Sequence, residues 1–338
     1  MIHIPDTIEI NDDIRRLTSV VCHSLSDVPD IIDTWNEGNV ADVEGYYENA
    51  MINRVYVDRV HVKKAFAEYT AAYNADDPKI KLKIDHTYRV AALCERIAKA
   101  AGMCAYDVEL AWLSGMLHDV GRFEQIKRYN TFSDADSVDH AKFGADLLFK
   151  DGLISTFLNG MVKCTGYKPG ALEDRYSSDG VFLYDRLNKS DMEMLELAIR
   201  CHNMYRIPQG LNRREQAFCN VLRDADKVDI FKVNIDTPLE EIYNTTTEEL
   251  MKSDITDEVL EAFDEEHCIL KAIRRTPADT VIGHVSLAYE LVYDESVRIT
   301  VEQGYLAKLM HFHSDNEETN RKMAMVRAVS YTHLRATR

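Results

Sequence analysis

Six side chains in this sequence have the chemistry to hold first-row transition metals together: His86, the adjacent His118 and Asp119, His140, His202 and Asp226. Imidazole nitrogen and carboxylate oxygen are the donors such ions take, and a His-Asp pair flanked by further histidines and a late aspartate reads as a site for two ions. A set without thiolate suits Mn, Fe, Co, Ni or Zn. Two such ions about 3.5–4 Å apart polarise a phosphoryl oxygen and make hydroxide available near neutral pH. The six residues run from position 86 to position 226, too far apart for one loop to gather them. Several helices must converge.

The apolar spacing supplies those helices. After Asp58, the residues Val62, Ala65, Phe66, Tyr69 and Tyr73 recur at helical intervals, and Asp76-Asp77-Pro78 ends the run. The next helix is expected from about Ile84 to Ala101, with His86 in its first turn. Asp107 is the expected cap of a helix reaching Leu117; His118 and Asp119 then fall at its last turn, and Gly121 lets the chain leave. That placement has a reason, since consecutive side chains diverge by about 100° on a helix and converge more easily where it ends. Ser137 is expected to cap the helix of His140, whose Gly144 and Ala145 permit close packing. Ser190 and Glu193 form a capping-box pattern opening the helix that runs into His202. A helix from Arg213 to about Val233 buries Phe218, Val221, Leu222, Ala225 and Val228 and carries Asp226 at the edge of that face. Leu158 to Lys189, punctuated by Gly, Pro and Ser, reads as a loop and as a lid or rim over the site. Helical patterns follow over 239–275 and 281–310, and nothing alternates like a strand. The fold class is therefore all-α, with about ten helices or more.

Composition narrows the function. The chain of 338 residues is 46% hydrophobic and 29% charged, enough apolar material for a sizeable core. A formal charge of −17 argues against a surface that tracks duplex nucleic acid, which needs clustered Lys and Arg. The seven cysteines form no Cys-x-x-Cys pair, as expected of scattered thiols in a reducing compartment. No signal-peptide pattern or long apolar run is visible, so the expectation is a cytoplasmic protein without a membrane span.

The wording around the six residues adds a family. Lys83-Ile84-Asp85-His86-Thr87, Leu117-His118-Asp119-Val120-Gly121-Arg122-Phe123 and Arg223-Asp224-Ala225-Asp226-Lys227-Val228-Asp229 resemble the HD phosphohydrolase superfamily. Ser137-Val138-Asp139-His140-Ala141 and Ala198-Ile199-Arg200-Cys201-His202-Asn203 are similar to its subset with two extra histidines, and therefore two metals. The likeness covers roughly residues 60 to 235, with all motifs in order, and is to bacterial hydrolase-type members. It implies that His86, His118, Asp119 and Asp226 hold one metal, with Asp119 bridging to a second held by His140 and His202. It also implies an HD-domain helical bundle over 45–329 with additional C-terminal helices. Residues 1–44, acidic and without a chemical motif, read as an appendage, and Ser330-Tyr331-Thr332-His333-Leu334-Arg335 resembles translated adapter read-through, so 330–338 reads as a non-native tail.

The activity so implied is metal-dependent hydrolysis of a phosphomonoester or phosphodiester, nucleotide-like, by activated water. In the same superfamily, mixed-valent di-iron oxygenases resembling myo-inositol oxygenase carry the same six-ligand set, and a metal-stabilised regulatory module is a third reading. Arg122, where many superfamily members have Lys, is the candidate catalytic charge partner and phosphate clamp, with Asp119 the other catalytic residue. Lys142 and Arg206 are further candidate contacts to a small phosphorylated substrate. Asp224 and Asp229 flank Asp226 and are candidates to orient ligand imidazoles.

Overall fold

The computed structural model describes residues 57–74, 76–158, 189–240 and 245–336. Asp58 caps α1 (Arg59–Thr70), accepting from the amides of Val60 and His61, and the helix buries Val62, Ala65 and Phe66 as its spacing requires. The Asp-Pro pair that ends the first apolar run also starts α2 (Pro78–Ala100): Asp77 accepts from the Lys79 amide and Pro78 takes the first helical position. This corrects the expected start at Ile84. His86 lies in the third turn of α2, and Ala91, Cys94, Ile97 and Ala98 are buried along the same helix.

α3 (Ala105–Leu117) starts after Cys104, not at Asp107, which lies in the first turn and makes no capping bond. Asp107 pairs instead with Arg214 at 2.7 Å, and Arg214 also reaches Asp191 at 2.6 Å. Asp191 lies in α7 (Lys189–Cys201) and Arg214 in α8 (Arg213–Asp236), so one guanidinium ties three helices together. Gly115 belongs to the crossing of α2 on α3: a Cβ there would lie 2.6 Å from the Ala91 Cα. The two helices can approach this closely only over a residue without a side chain.

After a break at His118-Asp119 the chain enters α4 (Val120–Tyr129). Gly121 therefore opens a helix and does not release one. Its role is close approach, since a Cβ would lie 2.3 Å from the His140 carbonyl oxygen and 2.7 Å from the Gly144 amide. That contact draws α5 (His140–Ala145) onto α4, with Gly144 on the facing side. The cap of α5 is Asp139, accepting from the Lys142 amide; Ser137 instead donates to the Ser133 carbonyl. A π-helical turn, Asp146–Lys150, and α6 (Ile154–Leu158) follow. A core of Phe66, Tyr69, Tyr73, Phe123 and Phe157 stacks edge to face beneath α4, and the Tyr69 hydroxyl donates to the Val120 carbonyl at 3.0 Å.

α8 extends three residues beyond its expected end, opened by a capping box of Asn212 and Glu215. All five residues expected on its apolar face are buried. The C-terminal region comprises α9 (Thr247–Lys252), α10 (Asp257–Asp264), α11 (Pro277–Val285), α12 (Asp294–Gln303), α13 (Tyr305–Met310) and α14 (Glu317–Ala336). No strand occurs among the described residues, and no described helix is long and apolar enough to cross a membrane. The architecture is an all-α bundle with extra C-terminal helices, as expected. Lys189 and Ser190 are both helical in α7, so Ser190 does not cap it. The appendage at 1–44 and the loop between Leu158 and Lys189 lie outside the described residues.

Candidate metal centre

Three helices deliver the first group of donors. The side chains of His86 from α2, His118 at the end of α3 and Asp119 at the break form one buried cluster, and α8 adds Asp226. Asp119 Oδ2 lies 3.6 Å from His86 Nε2 and 3.4 Å from His118 Nε2. Asp226 Oδ1 lies 3.1 Å from His86 Nε2 and 4.0 Å from His118 Nε2. A second buried cluster joins Asp119 to His140 of α5 and His202, just past α7. Here the other oxygen takes part: Asp119 Oδ1 is 3.5 Å from His140 Nε2 and 3.8 Å from His202 Nε2. One carboxylate thus turns an oxygen to each side.

The imidazoles are fixed by what their second nitrogens meet. His86 Nδ1 is 2.6 Å from Asp229, which also receives Arg89, and His140 Nδ1 is 2.7 Å from Asp134. His118 and His202 Nδ1 lie 2.8 Å from the Gly115 carbonyl and 2.7 Å from the Ile199 carbonyl. Carbonyls and ionised carboxylates only accept, so every Nδ1 donates, and Nε2 is left with a lone pair for a cation. The Nε2 atoms face one another in pairs, His86 to His118 at 3.3 Å and His140 to His202 at 3.1 Å. Lone pairs so opposed repel unless a positive charge lies between them. Asp119 Oδ1 is buried without a hydrogen-bond partner, which an anion in low dielectric tolerates poorly. Both features fit two divalent ions, one per cluster.

The electrostatics point the same way. Burial opposes charge on Asp119, but Lys83 and the surrounding imidazoles outweigh it and hold the carboxyl well below its usual range. Burial likewise opposes charge on Asp226, and its bond to His86 overrides it, keeping the group ionised. His202 is pulled down to about 3 by burial and by its histidine neighbours, which keeps its nitrogen available as a donor. On His86, burial and Lys83 disfavour a proton, yet Asp226 and Asp229 raise the pKa. This ring attracts positive charge, which a cation between the donors would supply.

The remaining expected residues fall into different places. Arg122 sits beside the centre with Nε 3.8 Å from Asp119 Oδ1, but its Nη1 is engaged by Gln125 at 2.8 Å, the Phe132 carbonyl at 2.7 Å and Asp134 at 2.8 Å. Lys142 is exposed and paired with Asp139 at 2.9 Å. Arg206 lines a cavity of about 310 Å³ with Arg223, Asp224, His267 and Glu290, none of them among the six ligands. Asp229 orients His86, whereas Asp224 accepts from the Val292 and Tyr293 amides at 2.9 and 3.0 Å and ties α8 to the C-terminal helices. Two residues of the centre escaped the sequence reading. Asp134 orients His140, and Lys83 donates to Asp119 Oδ2 at 2.7 Å. Asp134 is one of several acids before His140 and carried no distinguishing signal; Lys83 lies three residues before His86, a helical neighbour once α2 is known to start at Pro78.

A helical bundle in which one aspartate joins two histidine clusters able to coordinate divalent ions defines a metal-dependent hydrolase acting through activated water. Residues 84–231 match the family model of the HD domain, and the two clusters on that stretch are those of an HD domain of the phosphohydrolase superfamily with a two-metal site. No curated protein and no solved structure matches the chain.

Proposed function

We propose that this phosphohydrolase cleaves a small phosphate ester, a phosphomonoester or phosphodiester of nucleotide-like type, at a centre built from His86, His118, Asp119, His140, His202 and Asp226. The observation that carries this reading is the division of Asp119, with one oxygen toward each histidine cluster and Oδ1 buried without a hydrogen-bond partner. When bound, a pair of divalent ions supplies Lewis acidity and a water acidified toward neutral pH. The chain's own groups do the rest. Asp229 and Asp134 hold His86 and His140 with their Nε2 atoms inward, and Asp119 keeps the two clusters in register. Arg122 acts on the centre as a positioning residue: it grips Asp134, which grips His140. Lys142 and Arg206 receive no part in the chemistry under this reading.

The test is elemental analysis of protein purified anaerobically and loaded with metal, followed by a phosphate-release screen over nucleotides, cyclic nucleotides and sugar phosphates. Two ions per chain and release of phosphate or a phosphate monoester supports the proposal. Iron with oxygen uptake and no ester cleavage overturns it in favour of oxygenase chemistry.

A further inference from the structure

Lys83 is the one lysine whose ammonium bonds directly to the bridging aspartate among the described residues. Its Nζ lies 2.7 Å from Asp119 Oδ2, and its side chain is 17% exposed where that of Asp119 is 2% exposed, so it stands between the buried donors and the outside. It also rests over the Phe132 ring, 5.6 Å from the centroid, and Arg122 approaches the same ring at 5.7 Å. An ammonium carries three N–H donors. Asp119 takes one.

The charges around the centre show what the others are for. Arg89 is neutralised by Asp229 at 2.6 Å and Arg122 by Asp134 at 2.8 Å. Two divalent ions would bring four positive charges against the two negative charges of Asp119 and Asp226, leaving an excess of two. Lys83 raises the excess to three. A hydroxide with a phosphodiester monoanion brings two negative charges, whereas a hydroxide with a phosphomonoester dianion brings three. In a protein whose formal charge is −17, this local excess is what a dianion would meet on approach.

From this we infer that Lys83 is a specificity-determining residue that suits the centre to phosphomonoester dianions, its free N–H groups contacting a terminal phosphoryl oxygen. The inference rests on the phosphate-ester reading above and sharpens it to one substrate class. In the step so served, water oxygen bonds to phosphorus and the ester P–O bond breaks. The departing alkoxide takes up the proton that the water gives up, and inorganic phosphate remains. Lys83 holds charge on the non-bridging oxygens and transfers no proton.

The experiment compares the parent with Lys83→Met and Lys83→Arg, each loaded with Mn and checked for metal content. Turnover is measured on 4-nitrophenyl phosphate and on bis(4-nitrophenyl) phosphate, and binding of inorganic phosphate and of dimethyl phosphate by calorimetry at pH 8. Lys83→Met should lower kcat/KM for the monoester about 10²-fold and change the diester about threefold or less, as expected for loss of one charge contact. Phosphate binding should weaken about 10- to 100-fold while dimethyl phosphate hardly changes. Lys83→Arg should recover part of both losses, and the metal content should stay at the parent's value. Equal losses on both esters, or loss of a metal in Lys83→Met, would overturn the inference and make Lys83 a mere neutraliser of Asp119. If the parent cleaves neither ester, the hydrolase reading fails by itself. The two calorimetric titrations still decide Lys83, because selective weakening of phosphate supports it and unchanged phosphate binding rejects it.

Discussion

Asp119 and Asp279 are both buried aspartates of this bundle, and they are treated in opposite ways. Asp279, in the C-terminal helices, is fully buried and surrounded by donors: the amides of Thr256 at 2.8 Å, Arg275 at 2.9 Å and Thr276 at 3.1 Å, with the Thr256 hydroxyl as well. It closes a capping box at the start of α11 and fastens the chain before α10 to it. Asp119 is almost as deeply buried, yet Oδ1 has no hydrogen-bond partner, and four imidazole Nε2 atoms stand 3.4–3.8 Å from its two oxygens. A carboxylate whose lone pairs are filled by amides is part of the scaffold. One left facing unprotonated nitrogens is made for cations.

The sharpest way to break this comparison is Asp119→Asn. The amide keeps the shape but cannot offer an anionic oxygen to both clusters, so both ions should be lost and turnover should fall by about 10³ or more, the scale of several kcal/mol of Lewis-acid stabilisation. Elemental analysis with a turnover assay checks it; a variant retaining two ions at parental activity would remove the bridging role. Next comes Arg122. Arg122→Ala should cost about 10–100-fold in turnover, and since Asp134 then loses its guanidinium partner, the ion held by His140 and His202 should also bind less tightly. Arg122→Lys should recover part of the turnover by restoring charge without the planar fork. Turnover and metal affinity both equal to the parent's would reduce Arg122 to a surface-type ion pair.

Asp279→Ala tests the other side of the comparison. Three backbone amides lose their acceptor at a fully buried position, so unfolding by urea should show a loss of about 3 kcal/mol. Metal content and turnover of the folded protein should stay as in the parent. A loss of metal would show that the C-terminal helices shape the centre, and that the two aspartates do not have separate duties.

How much of this was legible beforehand follows from what each signal measures. The six candidate donors could be picked out because chemistry confines them to two residue types, and because the motifs around them occur in order. The helices could be found because buried faces repeat at helical spacing, as Phe218, Val221, Leu222, Ala225 and Val228 do in α8. Ends were harder. Asp77-Pro78 can close one helix or open the next, and reading only its first meaning detached Lys83 from the face of His86. Ser137 and Asp139 are both good caps, and only packing of α5 against Gly121 selects the second. Arg122 looked like a phosphate clamp because its acceptors, the Phe132 carbonyl and Asp134, are brought to it by a loop whose path no periodicity encodes. Asp134 was invisible for the same reason.

The smallest expected effect separates the two clusters. Asp229 holds His86 and Asp134 holds His140, each through Nδ1, so each carboxylate tunes one histidine of one cluster. Substituting an outer partner of this kind typically costs about 10–100-fold in metal affinity. Asp229→Asn should therefore weaken the ion shared by His86, His118, Asp119 and Asp226, and Asp134→Asn the ion on the other face of Asp119. Burial opposes charge on both outer carboxylates, but the imidazoles and guanidiniums beside them keep both ionised, so an amide removes a real charge from behind each ring. Competition titrations with a chromophoric chelator would resolve two affinities in the parent. In each variant one should shift and the other should stay near its parental value, with Asp119 linking the two. If both affinities fall together in both variants, the clusters act as one centre with a shared electrostatic field, and Asp119 is a coupling element in addition to a bridge.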